Sequence, residues 1–151
     1  MSQYCYSRLF TIILACFVFT GCSGSRPVYL GQINNELRPC PESPNCVSSQ
    51  ADQEDETHYI APLTFSPETS PTEAQKSLVS IIESNPQAQI VVKSPEYIYS
   101  EYTSDLMGFV DDVEFLIQDT VIHVRSASRL GYRDFDANRE RIENLRSELE
   151  N

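Results

Sequence analysis

Apolar and polar residues alternate through the second half of the chain, and a period of two marks strands. AQIVVKS, residues 88–94, reads as one. In YIYSEYTS, 97–104, Tyr97, Tyr99, Glu101 and Thr103 fall on one face and Ile98, Ser100 and Tyr102 on the other. In FVDDVEFLIQ, 109–118, Phe109, Asp111, Val113, Phe115 and Ile117 oppose Val110, Asp112, Glu114 and Leu116. In TVIHVRSAS, 120–128, Val121, His123, Arg125 and Ala127 oppose Ile122, Val124 and Ser126. The connections are short, which predicts antiparallel pairing as a meander. HYIAPLTF, 58–65, is a further strand that Pro62 confines to an edge or cuts short.

Two segments change to a helical period. Ser70-Pro71-Thr72-Glu73 is a helix start with an N-cap serine, proline at the first helical position and a capping-box glutamate. Ala74, Leu78, Ile81 and Ile82 then share a face, and Asn85-Pro86 stops the helix. After a turn around Gly131, Asp134 or Asp136 caps a last helix whose apolar stripe is Ile142, Leu145 and Leu149. One stripe per helix makes each a cover for a single sheet face. The fold class is therefore α+β: an antiparallel sheet of four to five strands with two helices packed on one face.

The first residues follow no such pattern. MSQYCYSRLFTIILACFVFTGC carries one basic residue, Arg8, and then an apolar run from Leu9 to Phe19. A permanent membrane helix needs about 20 apolar residues, whereas this run has the length of a secretory leader. Its end, Phe19-Thr20-Gly21-Cys22, resembles the lipobox of bacterial lipoproteins, which implies cleavage before Cys22 and acylation of its thiol. Ser23 stands where a retention signal would carry Asp, which implies sorting to the periplasmic face of the outer membrane. The organisation expected is a leader at 1–21, a Gly- and Asn-containing tether at 22–37 and one domain at 38–151. The partner this implies is the membrane, met through the N-terminal lipid.

Charge narrows the partners further. The chain holds 11 basic and 22 acidic residues, a net charge of −11. Losing Arg8 with the leader leaves ten basic residues against 22 acidic ones, or −12. Such a surface argues against nucleic acid and against electrostatic docking on anionic lipid. Of the five cysteines, Cys5 and Cys16 leave with the leader and Cys22 is the acylation site. Cys40 and Cys46 remain in an oxidising compartment and read as a local disulfide. Between them and after them, RPCPESPNCVSSQ has too many prolines for a helix and reads as an ordered loop.

An acidic protein that gathers six of its 11 basic residues between Ile122 and Arg146 demands an account of them. The strand carrying Asp111, Asp112 and Glu114 neighbours the one carrying Arg125, so cross-strand ion pairs are easy to form. On that reading the arginines set strand register. The alternative is an anion site, in which Arg125, Ser126, Ser128 and Arg129 offer donors with Asp111, Asp112, Glu114 and His123 as support. Cys40, Cys46, His58 and His123 are a zinc-competent set on paper, but the cysteine spacing is wide and the compartment favours a disulfide. No metal or cofactor is assigned. No helix follows Cys46 to activate its thiol, and nothing in the spacing brings His58 or His123 to it; no nucleophile elbow supports a serine hydrolase, and no catalytic residue is assigned. Tyr97 and Tyr99 share a face, where packing is the simpler role and a cleft for lipid or sugar the other.

Two blocks together resemble a known family. CPESPNCVSSQ at 40–50 and FVDDVEF followed by HVRSASRLGYRDFDANRERIE at 109–143 are similar to the family catalogued as domain of unknown function 1499. The matching positions are Cys40, Pro41, Ser43, Pro44, Asn45, Cys46, Val47 and Ser48, then His123, Arg125, Ser126, Ser128, Arg129, Gly131 and Tyr132. The resemblance covers roughly residues 37–147 and implies one compact domain, often lipoprotein-borne in bacteria, with no mechanism attached. The function expected is a non-enzymatic, lipid-anchored envelope module that binds an envelope protein or a small anionic ligand. The alternative is an envelope enzyme that takes an anionic substrate through Arg125, Arg129 and His123.

Overall fold

A computed structural model describes residues 24–150. The leader at 1–21 and the acylation site Cys22 lie outside the described residues. The elements in chain order are β1 (Gln32–Ile33), β2 (Glu36–Leu37), β3 (Cys46–Ser48), β4 (Leu63–Thr64), α1 (Pro71–Ser84), β5 (Ala88–Lys93), β6 (Tyr97–Thr103), β7 (Val110–Ile117), β8 (Val121–Ser128) and α2 (Ala137–Leu149).

Strands β5 to β8 form the expected antiparallel meander, and β3 continues the sheet beyond β8. The strand β4 also pairs with β8, so the sheet has six strands. The sequence had offered Cys46–Ser48 only as loop, because three residues are too few to display an alternation. Their pairing supplies hydrogen-bond partners to the outer edge of β8, with Val47 opposite Ser126 and Ser48 opposite Arg125. Pro62 cuts the 58–65 segment down to the two residues of β4.

Both helices lie over one face. Leu78 and Ile82 of α1 and Ile142 and Leu145 of α2 join Ile98, Val113, Phe115, Ile122 and Val124 in the main core. The start of α1 is held by its capping box: the Ser70 side chain accepts from the Glu73 amide, and the Glu73 carboxylate accepts from the Ser70 amide at 3.0 Å. The start of α2 is built otherwise. Asp136 occupies the cap position with a left-handed backbone and no side-chain cap bond. Asp134 acts in its place, accepting from the Asn138 backbone amide at 2.9 Å and from its side chain at 2.8 Å.

The opposite face is covered by the stretch expected as a tether. Residues 32–37 make a two-stranded hairpin, turned by Asn34 and Asn35 at φ 54° and 62°. Leu37 is buried with Tyr97, Tyr99 and Leu116 in a second small core, and Leu30 packs against it. The apolar side chains at Leu30 and Leu37 explain why this strap lies on the sheet: they fill the space beside the two tyrosines.

Candidate functional site

The second sheet face carries a buried ionic cluster. Glu114 of β7 and Arg125 of β8 are directly opposite in register. Arg125 Nη1 donates to Glu114 Oε2 at 3.2 Å, and the two side chains are 1% and 0% exposed. The other carboxylate oxygen of Glu114 accepts from the Tyr97 hydroxyl and from the Gly31 backbone amide, both at 2.7 Å. Arg125 Nε is buried without a partner among the described residues.

One step along the sheet, Glu101 of β6 faces Asp112 of β7. Like charges opposite one another are unfavourable, and Arg129 resolves the conflict. Its guanidinium donates from Nε to Asp112 Oδ2 at 3.1 Å and from Nη2 to Glu101 at 2.8 Å. The Tyr99 hydroxyl lies 2.7 Å from Glu101 and 2.6 Å from Asp112. Arg26 of the strap adds a bond to Glu101 at 2.6 Å from the outside. Burial alone would raise the Glu101 carboxyl, but the bonds from Arg26, Tyr99 and Arg129 outweigh it and hold the group at about 2. The hydrogen bond to Asp112 likewise drives Arg129 above its ordinary value, and burial next to acids raises Tyr97 and Tyr99.

The other sequence-singled residues are placed as follows. Asp111 lies on the helix side and pairs with Arg141 of α2. Ser126 donates to Asn138, and Ser128 accepts from the Asn138 side chain at 3.0 Å. Arg125 and Arg129 thus share a face, while Ser126 turns to the other one. His123, lowered by burial, has Ser49 Oγ 3.1 Å from its Nδ1. That hydroxyl also accepts the Val124 amide, and no carboxylate among the described residues is bonded to His123. Cys40 and Cys46 are joined in a disulfide. His58 contacts Asp55 at 2.7 Å, and no group of three or more His, Cys, Asp or Glu among the described residues is arranged to hold a metal ion.

The arginine block also does something that spacing did not disclose. Arg139 donates to the carbonyls of Glu56, Thr57 and Tyr59, and Arg146 donates to those of Ala61 and Pro62 at 2.7 Å. Two arginines of α2 therefore satisfy backbone acceptors of the irregular connector before α1. Asn138, fully buried, was missed as well: its amide donates to the Asn45 carbonyl at 3.1 Å and ties α2 to the disulfide loop. Its signal was its place one turn before Ile142 on the apolar stripe.

A cleft of about 400 Å³ opens on the helix side, between the end of α1, the start of β5, the end of β6 and α2. Its walls carry Asn85, Gln87, Asn144, Glu140 and Glu148. Tyr102 closes it; the residue is 4% exposed, and its hydroxyl is buried without a hydrogen-bond partner among the described residues. Burial pushes the phenol up to about 12, so it is a donor at neutral pH. The Arg141 guanidinium stacks over the Tyr102 ring at 4.8 Å.

Among the described residues, no helix is long and apolar enough to cross a membrane. The chain matches the family described as "Protein of unknown function (DUF1499)" over residues 36–149 and belongs to it. Neither the comparison with curated proteins nor that with solved structures gave a match.

Proposed function

We propose that this DUF1499 member is a lipid-anchored envelope protein, held by Cys22 at the periplasmic face of the outer membrane, and that it binds a small neutral polar ligand in the Tyr102 cleft. The lipobox-like run before Cys22 supports the anchor. The observation that carries the ligand reading is Tyr102, which lines the cleft and whose hydroxyl is buried just behind its surface with no partner among the described residues. A buried donor left unmade costs about 1–3 kcal/mol, and a ligand acceptor would remove that cost. Three amide side chains and two carboxylates around it suit a molecule that offers both donors and acceptors, such as an acetamido sugar. An anion fits poorly, because Arg141 is already paired to Asp111 and the two glutamates repel it.

The enzyme reading through Arg125, Arg129 and His123 calls for guanidinium groups turned to solvent. Here both are held by Glu114, Asp112 and Glu101, which favours a structural role for them. The cleft reading is tested by titrating the protein with N,N′-diacetylchitobiose and following backbone amide resonances. Shifts should cluster at Gln87, Tyr102 and Asn144, and Tyr102→Phe should weaken binding by up to about tenfold, the worth of one neutral hydrogen bond. Shifts scattered away from the cleft, or none at millimolar sugar, would overturn it.

A further inference from the structure

Ten large hydrophobic residues are exposed among those described, and six of them sit in two loops at one end of the sheet. Leu106, Met107 and Phe109 belong to the β6–β7 loop; Leu130, Tyr132 and Phe135 belong to the β8–α2 loop. The two loops are joined where the Arg129 amide donates to the Val110 carbonyl at 3.0 Å. Leu106 and Phe135 are 91% and 90% exposed. Phe135 is held out by a left-handed backbone, φ 54°, which an aromatic residue rarely adopts. Six exposed apolar side chains gathered at one end of a sheet mark a surface that meets something else.

The chain itself says what. Gly24 is packed on this same end: a Cβ there would stand 3.0 Å from Leu130 Cγ and 3.1 Å from the Arg129 side chain. Two residues span at most about 7 Å, so Cys22 is covalently tied within that distance of Gly24, which itself touches the Leu130 loop. An acyl chain on Cys22 would bring a bilayer to this end of the domain. The composition of the end suits a headgroup boundary. Tyr132 is amphipathic, and its neighbour Arg133 makes no hydrogen bond or ion pair among the described residues, leaving its guanidinium for lipid phosphate.

We infer that the β6–β7 and β8–α2 loops form a membrane-docking face that inserts its apolar side chains into the bilayer surface beside the Cys22 anchor. The inference rests on the anchor reading for its orientation. The domain then stands with its sheet end-on to the membrane, not swinging on a free tether. Because the protein is acidic overall, the lipid suited to this face is zwitterionic.

The chain has no tryptophan, so a single introduced one reports its own site. The full-length protein carrying Phe135→Trp is reconstituted in phosphatidylcholine vesicles with brominated acyl chains. A second protein carries Asp119→Trp, in the β7–β8 turn at the far end of the sheet. The Phe135→Trp emission should shift to the blue and be quenched at least twofold, with the Asp119→Trp emission unchanged. Acylated, vesicle-bound protein whose Phe135→Trp emission stays solvent-like would overturn the docking face and leave the anchor standing. Protein found unacylated by mass spectrometry, yet quenched at raised lipid, would keep the face and refute the anchor. Unacylated protein that ignores vesicles refutes both. A blue shift that grows with protein concentration in vesicle-free buffer would assign the face to a second copy of the chain and overturn the membrane as its occupant.

Discussion

Replacing Arg125 with methionine tests the claim that the arginine block is architecture. Methionine is unbranched, apolar and close to arginine in volume, though it ends short of the guanidinium, so it fills most of the same space. What changes is Glu114, whose Oε2 loses Arg125 while its other oxygen keeps Tyr97 and Gly31. Removing one member of a buried ion pair costs about 3–5 kcal/mol, because the remaining charge is stranded. Against that, methionine also deletes Arg125 Nε, a donor with no partner, whose burial carries a penalty of about 1–3 kcal/mol. The net loss expected is about 2 kcal/mol. With an m-value of about 2 kcal/mol per molar urea, the unfolding midpoint should fall by about 1 M at unchanged slope. Arg125→Met combined with Glu114→Gln removes the stranded charge but keeps an acceptor for Gly31 and Tyr97. That double variant should regain part of the loss, with a coupling of about 2 kcal/mol between the two positions. Additive single effects, or an Arg125→Met midpoint within 0.3 M of wild type (about 0.5 kcal/mol on the same slope), would refute the reasoning.

Glu101 gives a pH window. Its folded value of about 2 lies below the ordinary 4.5, so its contribution is whole above about pH 4.5 and is lost as pH falls toward about 2. The shift corresponds to roughly 3 kcal/mol; urea titrations from pH 7 to 3 should show the wild type converging on Glu101→Gln, and a gap that does not narrow would dismiss the network. Cys22→Ala should move the protein from the membrane to the soluble fraction on cell fractionation; quantitative retention in the membrane would remove the acyl anchor from the account.

Much of this fold is legible in the chain, and the reasons are local. A strand of seven or eight residues shows its alternation, so β6, β7 and β8 and the two faces of each followed directly, while the register that sets Glu114 opposite Arg125 did not. The Ser70 capping box spells its own geometry. The parts that stayed hidden depend on partners that leave no side-chain pattern. The two-residue β1 and β2 have no period, although Asn34-Asn35 between short apolar flanks was a turn signal of the left-handed type. Arg139 and Arg146 bind backbone carbonyls, which every sequence possesses, so nothing in the residue types points to the 56–62 connector. The pairing of arginines with carboxylates was readable; which arginine takes which acid was settled by a tertiary approach, that of Arg129 to both Asp112 and Glu101.

The ionic face has a use that an apolar one would lack. Apolar packing is non-directional, and a strap held only by Leu30 and Leu37 could slide along the sheet. The Gly31 amide bonded to Glu114 and Arg26 bonded to Glu101 are directional and fix two points of the strap in register with β6 and β7. A slip of β7 by one residue would turn Glu114 into the oily face beneath the helices, so the same pairs also hold the sheet in register. Buried ion pairs are roughly neutral for stability against apolar replacements, so their value here lies in position. They set where Gly24 rests against Leu130, and with it the point from which the chain leaves for Cys22. Loosening Glu114 or Glu101 should therefore free the strap before it unfolds the sheet, and turn an end-on domain into one that swings.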